Sequence, residues 1–258
     1  MQSLNHLLTL HQSLLYLHII AGSMALLLFW LPLLCKKGAL NHRRFGQYYT
    51  GCMYTVIGST FLLCIMVLWD PVFYKGQHLA SEDMHSAFSQ RVRLFFGFLM
   101  YLGFLVYCGL NTSQLMLKHK QNHKALKTPL YIGTQLLMGI GGLVLLSTGI
   151  YFQQMLHMAF GVIGMMSAIQ TLRYPLKQQV SPNQWLIEHF SAMIGTGIAA
   201  YTAFFTFGAR RLLELGEWQL VVWFVPAIVG TIAITWLSRT HQVKMFTFNQ
   251  IKHKSRLN

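Results

Sequence analysis

Twelve histidines are spread through a chain of 258 residues, and four of them, His18, His42, His157 and His189, stand within or at the ends of long apolar stretches. A titratable ring in such surroundings is disfavoured unless it faces other protein, so it is a candidate functional group by default. Imidazole is also the commonest metal ligand and titrates near neutral pH. His18 and His157 lie a turn or so inside one end of their apolar stretches. His42 and His189 lie near the opposite ends of theirs. The remaining eight fall in loops or tails, where a solvated histidine needs no explanation.

Two depths with two histidines each suit a pair of b-type haems. Each iron would take axial imidazoles from two helices, His18 with His157 and His42 with His189. Such a protein would carry electrons across a bilayer, as an electron-transport protein or oxidoreductase, with a quinone or another redox protein as partner. The logic is similar to that of the ascorbate-reducible cytochromes b, although no motif of that family is present. Phe29, Trp30, Tyr54 and Tyr201 are available to wall a porphyrin. Arg43 and Arg44 either hold propionates or simply mark the cytoplasmic side.

A second chemistry is open. His18 and His157, with Glu82, Asp83 and His85, supply the donors of a zinc or copper site in a membrane enzyme or transporter. A third reading gives the histidines to polar packing without any cofactor, in a non-catalytic assembly or interaction protein. No residue is singled out as catalytic. The chain has no Walker or Rossmann glycine pattern and no His-Glu-x-x-His. It has no aspartate inside an apolar stretch for a Ser-His-Asp triad. Neither a nucleotide nor a nucleic acid is expected as partner.

The elements that must position these residues follow from composition. Apolar residues make up 54% of the chain and charged residues only 10%, against about a quarter charged in an average soluble protein. The net charge of +14 is divided into short clusters between apolar runs. This is the pattern of an all-α, polytopic transmembrane helical bundle in contact with the lipid bilayer. A crossing helix needs about 20 apolar residues, and seven spans are predicted: Ser13–Leu34, Gly51–Trp69, Leu94–Met116, Pro129–Tyr151, Met155–Leu172, Trp185–Phe207 and Trp218–Leu237. Tyr151-Phe152-Gln153-Gln154 is the predicted hairpin between the fourth and fifth. Residues 1–238 form one transmembrane domain, followed by a basic tail, 239–258.

Fifteen of the 20 Lys and Arg residues fall in alternate loops and the tail: Lys36, Lys37, Arg43, Arg44, Lys118, Lys120, Lys124, Lys127, Arg173, Lys177, Arg239, Lys244, Lys252, Lys254 and Arg256. By the positive-inside rule these lie in the cytoplasm, with the N-terminus outside and the C-terminus inside. The first span has no basic region before it and is expected to stay in the mature protein. Cys35, Cys52, Cys64 and Cys108 lie in or at the ends of spans, as small packing residues. Ser181-Pro182 reads as the cap and first residue of the sixth helix, which places Glu188 in its second turn. Leu17-His18-x-x-x-Gly22 and Leu156-His157-x-x-x-Gly161 suggest a weak hairpin repeat. On that basis spans 1, 2, 5 and 6 would form one bundle, with spans 3, 4 and 7 flanking it.

The run His18-x-x-x-Gly22, followed by Lys37-Gly38-Ala39-Leu40-Asn41-His42-Arg43-Arg44-Phe45-Gly46-Gln47-Tyr48-Tyr49, resembles the bacterial predicted membrane proteins of domain-of-unknown-function family 2306. Glu188-His189-Phe190-Ser191-Ala192-Met193, with Arg210 later, is similar to that family's late His-x-x-x-Met helix, although Phe190 stands where an arginine is expected. The resemblance covers spans 1, 2 and 6. It implies a helical bundle in the bacterial inner (plasma) membrane and no particular activity.

Overall fold

A computed structural model describes residues 2–76, 83–208 and 224–240. Among these residues every regular element is helical, and six helices are long and apolar enough to cross a membrane. Helix α1 is Gln2–Leu34, α2 Leu40–Trp69, α3 the short Pro71–Lys75, α4 Asp83–His119, α5 Pro129–Tyr151, α6 Met155–Leu176 and α7 Gln184–Ala203. A 3-10 turn, His123–Leu126, precedes α5, and a π turn, Phe204–Gly208, continues α7. A shorter apolar helix, α8, covers Phe224–Thr240. The seventh predicted span begins at Trp218, so its first residues lie outside the described ones.

Three helices start about three turns before the spans predicted within them. Helix α1 begins at Gln2 rather than Ser13, α2 at Leu40 rather than Gly51, and α4 at Asp83 rather than Leu94. Hydropathy marks only the stretch that suits hydrocarbon, whereas backbone hydrogen bonding carries a helix on into polar sequence. The 33 residues of α1 run to about 50 Å at 1.5 Å rise per residue, well beyond a hydrocarbon layer of about 30 Å.

Local signals set the ends. Gly38, at φ +77°, takes the left-handed conformation that turns the chain from α1 into α2. Asp70 ends α2 and caps α3, its Oδ1 accepting from the Phe73 N–H at 2.9 Å, with Pro71 at the first helical position. Thr128 caps α5 in the same way, accepting from the Tyr131 N–H at 3.2 Å ahead of Pro129. The α5–α6 hairpin turns where expected, with Gln153 at φ 54°. Helix α7 departs from expectation. Its cap position is Asn183, without a side-chain bond, and Ser181-Pro182 form a turn before it, with the Gln184 N–H donating to the Ser181 carbonyl. Glu188 does lie in the second turn, where its Oε1 accepts from Gln184 Nε2 at 2.9 Å.

The chain divides into two compact units, Met1–Cys108 with Thr128–Tyr174, and Gly109–Lys127 with Pro175–Asn258. In the first unit α4 is central, not flanking. At about 100° per residue, Leu94, Phe98, Tyr101, Leu105 and Cys108 share one face of α4. Tyr101 on this face donates to the Met138 carbonyl of α5 at 2.9 Å, and Cys108 packs with Met138 and with Ala168 of α6. Gly103 is on the opposite face, and a methyl there would lie 3.2 Å from the side chain of Thr60 on α2. Glycines let these helices close up. A methyl at Gly161 would lie 2.7 Å from the Gly142 carbonyl, and one at Gly164 would overlap the Tyr101 hydroxyl. Lipid gives helices no hydrophobic reason to associate, so such close backbone contact is a main source of attraction. The four cysteines are free thiols, and Cys64 and Cys108 are fully buried.

Candidate functional site

His18 projects from α1 to α2. Its Nδ1 is 3.0 Å from Ser59 Oγ and 3.4 Å from Thr60 Oγ1. The Ser59 hydroxyl already donates to the carbonyls of Thr55 and Val56, at 2.8 and 2.9 Å. The ring and this hydroxyl together form a polar contact between α1 and α2.

His42 lies in the first turn of α2 and reaches back to α1. Its Nδ1–H donates to the Pro32 carbonyl at 3.0 Å. Lys37 Nζ donates to the same carbonyl at 3.1 Å and to that of Leu33 at 2.6 Å. These carbonyls belong to the last turn of α1, where no later amide of the helix can serve them. His42 and Lys37 together close that end. Partial burial pushes the Lys37 ammonium below the usual lysine range.

His157, on α6, is the reverse case. Its Nε2–H donates to the Leu94 carbonyl of α4 at 3.2 Å. The ring lies against Phe98, 5.1 Å between centroids, and Phe98 meets Phe160 edge-on. Only 5% of the residue is exposed. Its Nδ1 is buried with no hydrogen-bond partner among the described residues. In the second unit, His189 of α7 is buried and its Nδ1 lies 2.8 Å from Ser113 Oγ and 3.1 Å from the Ser113 carbonyl on α4.

The structure does not bring His18 and His157 together. His157 meets the Leu94–Phe98 face of α4, whereas His18 meets α2 beside Thr60, and Thr60 faces Gly103 on the opposite side of α4. Helix α4 passes between them. His42 belongs to the first unit and His189 to the second. Of the alternative metal set, His85 lies in the first turn of α4, half-buried, while Glu82 and the side chain of Asp83 lie outside the described residues. Among the described residues no group of three or more His, Cys, Asp or Glu side chains is gathered.

Two histidines assigned to solvated segments are buried instead. His11 belongs to α1, is 7% exposed, and stacks on Tyr74 of α3 at 5.2 Å. Its position seven residues before His18 puts both on one helix face, a signal that only the longer α1 makes visible. His123 is also 7% exposed, and its Nε2–H donates to the Lys177 carbonyl at 2.9 Å. Nothing in the surrounding polar sequence announces it. Comparison with known proteins finds no match among protein-family models, curated proteins or solved structures.

Proposed function

We propose that this chain is a seven-span integral membrane protein of the bacterial inner membrane, N-terminus outside and C-terminus cytoplasmic, with a non-catalytic assembly or interaction role. Its intramembrane histidines tie helices together. One observation carries this reading: each of the four candidate rings bonds a different helix, α1 to α2 at His18, α2 to α1 at His42, α6 to α4 at His157 and α7 to α4 at His189. In hydrocarbon an unmade hydrogen bond is costly, so polar side chains join helices where water is absent. The test is an absorption spectrum and metal analysis of the full chain purified from cells supplied with haem, zinc and copper. The reading expects a colourless, metal-free protein. It also expects His18→Ala to lower thermal stability and His18→Asn, which keeps a donor, to restore part of it.

The haem b electron carrier is the second reading, favoured by a specific observation. At His42 the Nδ1–H is given to a backbone carbonyl, which is how ligating imidazoles are commonly held while Nε2 takes the metal. With α4 between His18 and His157, these two would not share one iron. A Soret band in the wild-type protein, lost on His18→Ala or His42→Ala, would establish this reading and remove the first.

A further inference from the structure

A surface cavity of about 470 Å³ opens beside the first three turns of α4, lined by Ser86, Gln90, Arg93 and Leu94. These positions follow one another by four, three and one residues, so one face of the helix supplies them all. Three of the four can donate hydrogen bonds, and among the described residues no carboxylate lines the space. The fourth, Leu94, begins the apolar run of α4. The cavity therefore sits where the helix passes from interfacial to hydrocarbon surroundings, with donors on the polar side and an apolar floor. Arginine presents a planar fork that matches phosphate oxygens in pairs, and the hydroxyl of Ser86 and amide of Gln90 can complete the shell of a singly charged phosphodiester.

We infer that Ser86, Gln90 and Arg93 form a binding site for a phosphate group, taken from a phospholipid headgroup at this end of α4 or from free phosphate. The headgroup brings its acyl chains to the Leu94 level, where the apolar surface begins, and free phosphate uses the donors alone. The inference does not depend on what the histidines do.

Native mass spectrometry of the full chain in a neutral detergent tests it, with added phosphatidylglycerol, diacylglycerol or inorganic phosphate. Phosphatidylglycerol should remain bound and diacylglycerol should not. Arg93→Gln should weaken the phosphatidylglycerol complex about tenfold, the scale of one charge-assisted hydrogen bond. Arg91→Gln, on another face of α4, should leave it unchanged. Displacement of the lipid by inorganic phosphate, with the same dependence on Arg93, would identify free phosphate as a sufficient ligand and support the site. Arg93→Lys and Gln90→Ala give intermediate losses and keep the test open where Arg93→Gln does not fold. Equal binding of diacylglycerol, or equal effects of the Arg91 and Arg93 changes, would overturn the inference.

Discussion

The position of one proton separates the histidines. His42 carries it on Nδ1 and His157 on Nε2, because the acceptor in each case is a carbonyl. The sequence marks the four rings but not the nitrogen each uses, since that depends on a partner on another helix. It misses His11 and His123 for the same reason. If His18 is a tie, His18→Ala and Ser59→Ala should couple by about 0.6 kcal/mol in a double-mutant cycle, the average for hydrogen bonds between membrane helices. Additive effects from the two changes would show that the contact contributes nothing. Tyr101 offers a larger effect. Gly164→Ala places a methyl on its hydroxyl and should destabilise the protein by about 2 kcal/mol through overpacking. Combining it with Tyr101→Ala should cost less than the sum of the two single changes, measured by unfolding in mixed micelles.

At the scale of elements, the apolar stretches were legible and the full helices were not. Pro129–Tyr151 is both the predicted span and the observed helix, because Thr128-Pro129 caps one end and the Phe152-Gln153 turn closes the other. Nothing comparable stands at Ser13, Gly51 or Leu94, and there the helix runs on toward its N-terminus through polar residues. The central place of α4 was also hidden. A repeat of Leu-His-x-x-x-Gly pointed to α1 and α6 as partners, but Gly22 faces Val56 of α2 while Gly161 meets Gly142 of α5. Each glycine serves its own hairpin. The short α3 gives a local test. Asp70→Ala removes its N-cap and should cost about 1 kcal/mol, seen as faster hydrogen exchange at the Phe73 amide. An unchanged rate would mean that Pro71 and packing alone hold the turn.

For the whole molecule, charge and apolar length specify a membrane protein, and six helices long and apolar enough to cross agree with that class. The proposed orientation rests on the basic asymmetry alone. A reporter fused after Asn258 should be active only as a cytoplasmic protein, and periplasmic activity there would invert the topology. What the molecule does turns on whether its histidines hold helices or iron. The absorption spectrum of the full chain, purified from haem-supplied cells and recorded oxidised and reduced, decides this most directly. No band beyond the aromatic absorption of the protein is expected. A Soret band that sharpens on reduction, at one haem or more per chain, would contradict it.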